Sequence, residues 1–217
     1  VWEYPCIATV PLDPCPALDG AMERLSQYEW LVLTSPAGVD TLWRWLKDHG
    51  KDARALGSVR LAAIGPGPDR ELGKYGLRAD YVPEVYDAAH LGAGLPAGGN
   101  VLILRAEEGS PALIEELARR NIAYDDVATY RTVYENPRSQ ELREAVEGTE
   151  GLLVTFTSAS TVKGFVSSVG ADADFSRMAG MCIGAQTAAQ ARKYGIPVKT
   201  AKAATMDALV ELIVEGV

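Results

Sequence analysis

Residues 30–39 read WLVLTSPAGV, and residues 153–162 read LVTFTSASTV. Each is an apolar run of strand length, then a Thr-Ser pair of the kind that starts helices, then a helical pattern. The helical stripes coincide as well. Val39, Leu42, Trp43 and Leu46 fall at i, i+3, i+4 and i+7, as do Val162, Phe165, Val166 and Val169, which gives each helix one apolar face. A strand leading into a helix, twice, 123 positions apart, is the signature of an internally duplicated α/β chain.

The correspondence extends outward on both sides. Residues 59–65 (VRLAAIG) match 178–184 (MAGMCIG), and Lys74-Tyr75-Gly76 matches Lys193-Tyr194-Gly195. In each copy an apolar strand ends in glycine, a helix follows, and Gly76 or Gly195 can take the left-handed conformation that closes it. Leu77 and Ile196 then lead toward another short strand, and Asp87 and Asp207 are placed to open the next helices. Upstream, residues 3–10 (EYPCIATV) align with 126–133 (DVATYRTV). The second of these follows a strand at 101–104 (VLIL) and a helix with Ser110 as N-cap, Pro111 at N1, and Leu113, Ile114, Leu117 and Ala118 on one face. The first copy has no such strand and helix ahead of it, so a chain truncated at its N-terminus or derived from a fusion, with reduced activity or stability, is expected. Alternating strands and helices at this spacing predict parallel sheets covered on both faces, about five strands per repeat.

Composition sets the remaining bounds. The chain has 217 residues, 47% hydrophobic and 23% charged, with a formal net charge of −8; this suits a packed soluble protein and argues against a nucleic-acid-binding face. No apolar run reaches the roughly 20 residues of a membrane span, so a cytoplasmic location is expected. Three cysteines without a CxxC and two distant histidines speak against a disulfide framework, a metal cluster or a histidine triad.

Four strand-to-helix turns carry the candidate chemistry: Thr34, Ser35, Ala37 and Gly38; Gly65 and Gly67; Thr157, Ser158, Ala159, Ser160 and Thr161; and Gly184, Ala185, Gln186 and Thr187. Helix N-termini present backbone N–H groups that favour carboxylates, and in open α/β sheets these turns sit at the ligand-binding ends of the strands. An acidic protein can hold a polyanion this way, since amides bear no formal charge. Plain helix capping by Ser35 and Ser158 is the competing account.

In order, WLVLTSPAGV, LAAIGPGPDREL, a strand ending in Arg105, YDDVATYRT, TFTSASTV and CIGAQTAAQA resemble the uroporphyrinogen-III synthase family over nearly the whole chain, especially members fused to a precursor methyltransferase. The resemblance implies two flavodoxin-like domains with three-layer α/β/α parallel sheets, joined by a two-stranded antiparallel linker. Residues 18–126 would form a continuous domain, residues 1–6 and 136–217 a discontinuous one lacking its first strand and helix, and 7–17 with 127–135 the linker, Ile7 to Leu12 lying against Thr129 to Tyr134. It implies a lyase without cofactor, a monomer, fused to or handed its substrate by neighbouring pathway enzymes, that closes hydroxymethylbilane with inversion of the last pyrrole ring.

Within that resemblance Tyr130 matches the family's general-acid candidate, although a tyrosine packed in the linker ladder is the alternative. Arg105 is either a carboxylate partner or part of an ion pair with Glu107 or Glu108, and Thr187 either lies near substrate or is an ordinary helix-start hydroxyl. The turn after Gly67 departs from the family: Pro68 has no N–H to give and Asp69 would repel a carboxylate. A non-catalytic ligand-binding or regulatory module on the same duplicated fold is the main competing function, and a two-lobed solute-binding protein a third.

Overall fold

The computed structural model describes residues 1–135 and 138–215; the start of the expected discontinuous domain at Asn136, with Pro137, and its end at Gly216 and Val217 lie outside the described residues. In chain order the elements are β1 (Ile7–Pro11), α1 (Pro16–Glu23), β2 (Trp30–Leu33), α2 (Pro36–Asp48), β3 (Arg60–Ala63), α3 (Pro66–Lys74), α4 (Ala88–Gly94), β4 (Val101–Ala106), α5 (Ala112–Arg119), β5 (Tyr124–Tyr134), α6 (Ser139–Gly148), β6 (Leu152–Phe156), α7 (Ala159–Val169), β7 (Met178–Cys182), α8 (Ala185–Arg192), β8 (Val198–Thr200) and α9 (Met206–Glu215). They form two compact units, Val1–Ala8 with Thr132–Val217 and Thr9–Arg131.

In the unit of residues 9–131 the strands run β5-β4-β2-β3, each pair parallel. All four residues of β2 are buried, because its alternate side chains enter two different cores. Leu31 and Leu33 join Leu18, Met22, Leu42, Leu46 and Leu72 from α1, α2 and α3 on one face. Trp30 and Val32 join Leu91, Leu113 and Leu117 from α4 and α5 on the other. The chain leaves β2 toward β3 and leaves β4 toward β5, in opposite directions, so the winding reverses between β2 and β4. Such a reversal opens a crevice at the carboxyl ends of the two strands. Leu77 does not lead into a further full strand; the chain makes one parallel bridge, Tyr81 to Ala62.

The other unit has a three-stranded sheet, β6-β7-β8, also parallel. Phe156, Val162, Phe165, Val166, Met178 and Cys182 form a single buried cluster with Leu142 and Val146 of α6. Among the described residues β6 pairs only with β7, whereas its repeat counterpart β2 is flanked by β3 and β4. Leu153, the counterpart of Trp30, is accordingly half-buried rather than buried. Of the five strands expected per sheet, the first sheet shows all five, β1-β5-β4-β2-β3, and the second shows three among the described residues. Residues 1–6, which align with 124–129, carry no strand assignment.

β1 and β5 are antiparallel neighbours: Leu12 N–H bonds Thr129 O at 2.9 Å and Glu135 N–H bonds Cys6 O at 3.0 Å, the two ends of one ladder. Two helix starts differ from expectation. Pro111 takes the cap position of α5 while the Ser110 hydroxyl accepts from Ala112 N–H, and in α9 the Thr205 hydroxyl accepts from Ala208 N–H, leaving Asp207 in the first turn.

Candidate functional site

The site is built at the carboxyl end of β2. Ser35 leaves the strand in an extended conformation and caps α2, its Oγ accepting from Gly38 N–H at 3.0 Å. Gly38 is needed there, since a Cβ would lie 3.3 Å from Leu104 O of the neighbouring strand. Pro36 fixes the first helical position and has no N–H to satisfy. The α3 start is alongside, with a Cβ on Gly67 falling 3.7 Å from Pro36.

Tyr130 reaches this corner from β5. The pairing of β4 with β5 proceeds Leu104 to Val127 and Arg105 to Ala128, then jumps from Ala106 to Tyr130. Thr129 is the extra residue of a bulge, and both Thr129 and Tyr130 are buried. Bulging turns the Tyr130 ring so that its hydroxyl lies 2.6 Å from Ser35 Oγ. Tyr130 is only 7% exposed; burial pushes its phenol above the ordinary value and the Ser35 bond acts in the opposite sense. Sequence reasoning singled out both residues but not their contact, because an unpaired bulge residue leaves no periodic signal.

The other candidates separate by what occupies them locally. Arg105 is held by Asp126 through two bonds of 2.6 Å and donates to Ser110 O at 3.3 Å; Asp126 lies 21 residues along, on the neighbouring strand β5. Asp69 turns its carboxylate onto Ala79 N–H at 2.8 Å, which engages the charge that would oppose an anion at the α3 start. Ser158 and Thr161 close a capping box, Ser158 Oγ accepting Thr161 N–H and Thr161 Oγ1 accepting Ser158 N–H, both at 3.1 Å, so these hydroxyls serve the helix. Thr34 is half-buried and Thr157 exposed beside their caps.

Backbone donors left over differ between the starts. Caps and prolines leave Ala37 N–H at α2 and Gly67 N–H at α3, and the box at α7 leaves Ala159 and Ser160. At α8 the cap is Gly184, which offers no side chain, so the N–H groups of Ala185, Gln186 and Thr187 all remain for an anion. Ala185 and Gln186 are exposed and Thr187 is buried at 4%. Among the described residues no group of three or more His, Cys, Asp or Glu is placed to hold a metal ion, and no helix is long and apolar enough to cross a membrane.

The family model for uroporphyrinogen-III synthase HemD matches residues 1–211. A porphyrin biosynthesis protein HemD of Ruminiclostridium josui is 35% identical over 98% of this chain, which spans 43% of that relative's length. A uroporphyrinogen-III synthase of Synechococcus elongatus is 27% identical over 86% of the chain and 74% of the relative. Among solved structures, a mutant uroporphyrinogen III synthase of Thermus thermophilus superposes with a TM-score of 0.69 at 21% identity, covering 98% of this chain and 87% of the other. The Helicobacter pylori enzyme gives 0.66 at 20% identity, with 97% and 90% covered; both likenesses concern the α/β fold. With the match running from the first residue into α9, the chain belongs to the uroporphyrinogen-III synthase family.

Proposed function

We propose that this chain carries uroporphyrinogen-III synthase activity, a cofactor-independent lyase reaction in which hydroxymethylbilane loses water, closes and inverts its last pyrrole ring. The observation that carries the reading is the buried Tyr130 phenol bonded to Ser35 at the reversal point of a parallel sheet: a proton donor sits beside free helix-start amides where such sheets bind ligands.

Each side chain then has a part. Tyr130 gives its proton to the departing hydroxyl, whose C–O bond breaks to release water while the adjoining pyrrole nitrogen supplies the electrons. The substituted carbon of the last ring attacks, the spiro intermediate fragments, and reclosure at the free carbon of that ring expels a proton that restores the phenol. The substrate provides the electrons throughout, so the protein's work is to fold a flexible chain and protect it from uninverted closure. Within each unit the free helix-start amides are donors suited to acetate and propionate carboxylates: Ala37 and Gly67 in one, and Ala159, Ser160, Ala185, Gln186 and Thr187 in the other. Arg105, its charge balanced by Asp126, shapes the end of β4. The reading includes a monomeric cytoplasmic enzyme, fused to or supplied by neighbouring enzymes, in which residues 7–17 and 127–135 connect the two domains.

The test is to incubate hydroxymethylbilane with the full-length protein and separate the oxidised porphyrin isomers. Type III product is expected; type I alone, the outcome for a pure binding module, would overturn the reading.

A further inference from the structure

We propose that Ser35 is a positioning residue for Tyr130: its hydroxyl, fixed by Gly38 N–H, donates to the phenolic oxygen and so leaves the phenol's own proton directed at the substrate. This inference rests on the catalytic reading of Tyr130 given above.

The hydrogen-bond inventory of Ser35 is small. Its oxygen accepts from Gly38 N–H at 3.0 Å and lies 2.6 Å from the Tyr130 hydroxyl. One serine proton and one tyrosine proton share that second contact. If Tyr130 donated inward, its proton would be spent on the cap. With Ser35 donating, the phenol proton is free and a phenolate formed after transfer keeps a donor already in place.

The two repeats show that capping alone does not require this arrangement. Ser158, the counterpart of Ser35, closes a reciprocal box with Thr161. At the same helical position the first repeat has Gly38, which cannot close a box, and the repeat counterpart of Tyr130 is Ile7, which belongs to the unit of Ser158. The unit with the phenol is thus the unit in which the serine hydroxyl is released from the box to meet it.

In the proton-transfer step the Tyr130 O–H bond breaks, its proton joins the leaving hydroxyl oxygen, the C–O bond breaks to give water, and the negative charge rests on the phenolic oxygen until the final ring closure returns a proton. Burial disfavours that charge and the Ser35 bond favours it. Ionisable groups on the surrounding elements are Arg105 and Glu107 at the end of β4, Tyr124, Asp125, Asp126, Arg131 and Tyr134 on β5, and Asp40, Arg44, Lys47 and Asp48 on α2; β1 carries none, Asp125 is engaged by Arg24 and Tyr28, and Arg44 pairs with Asp13 and Asp48. Arg105 is engaged by Asp126 and Asp40 by Tyr75, and burial and Ser35 account for the shift of Tyr130.

The experiment combines steady-state kinetics on hydroxymethylbilane with pH titration of [13Cζ]tyrosine-labelled protein, Tyr130→Phe assigning the resonance. Ser35→Ala should lower kcat by about tenfold to a hundredfold, the range for a hydrogen bond to a charged group, with KM within about twofold. The Tyr130 midpoint should move up, and Ser35→Ala should cost nothing further in a Tyr130→Phe background. Ser35→Asp keeps an acceptor for Gly38 N–H but has no proton to give; it should lose kcat equally while melting like the parent. Ser35→Thr should restore both readouts. Equal losses from Ser35→Ala with and without the phenol, a midpoint that stays or falls, or full activity in Ser35→Asp would overturn the proposal. If Tyr130→Phe alone turned over at the parent rate, the catalytic reading would fail, while the midpoint shift would still report on the Ser35 bond.

Discussion

Replacing Ala185 by proline removes one backbone donor while leaving the helix that carries it intact. Ala185 is the first residue of α8 after the Gly184 cap, which is extended at φ −165° and ψ 174°, a conformation compatible with a following proline. The N–H at that position has no partner within a helix, and proline's fixed φ suits it; the chain itself places Pro36 and Pro66 at the same point of α2 and α3. Stability should therefore change by less than about 0.5 kcal/mol. If the Ala185 amide holds a carboxylate, the variant loses a charge-assisted bond worth about 1.5–3 kcal/mol. Since Ala185 is exposed and water competes there, the lower end applies, which corresponds to roughly a tenfold rise in KM. A carboxylate remote from the reacting carbon has the same charge in ground and transition states, so kcat should stay the same. Initial rates over a substrate series, with a thermal melt on the same preparation, decide it. An unchanged KM at an unchanged melting temperature would refute carboxylate binding at α8.

Other outcomes follow from the packing. Gly164→Ala would bring a Cβ to 2.5 Å from Cys6 O and 2.7 Å from Ile7 and should cost at least ~2 kcal/mol, whereas Gly73→Ala, with nothing within 4 Å, should gain about 0.5–1 kcal/mol; denaturant melts compare them, and equal midpoints would contradict the close packing of residues 6–7 on α7. Hydrogen exchange should find alternate β6 amides on the edge left unpaired among the described residues exchanging at least ~100-fold faster than those of β2, which has strands on both sides; matched protection would mean the β6 edge is covered. Arg105→Ala and Asp126→Ala should each cost about 1–2 kcal/mol, with the pair costing less than the sum; additive losses in a double-mutant cycle would separate the two residues.

The strand-to-helix order was legible because β2 and β6, like β3 and β7, are apolar runs that end at small or hydroxyl residues, a pattern physics imposes on any strand buried on both faces. What escaped was set by single contacts. The Thr129 bulge that swings Tyr130 to Ser35 is one residue out of step in a strand whose composition is ordinary. Asp126 holds Arg105 from the neighbouring parallel strand, a partnership set by strand pairing and not by nearness in the chain. The reduced fourth crossing at Tyr81 follows from the loop after Gly76, where Leu77 turns into the core beside Leu72 rather than along the sheet.

The central claim is that uncharged helix-start amides, not basic side chains, grip a polycarboxylate. An amide-resolved NMR titration of 15N-labelled protein with uroporphyrinogen III under anaerobic conditions tests it directly. Gly67, Ala185, Gln186 and Thr187 resonances should shift downfield together and saturably; shifts confined to lysine and arginine side chains, with these four amides unmoved, would contradict it.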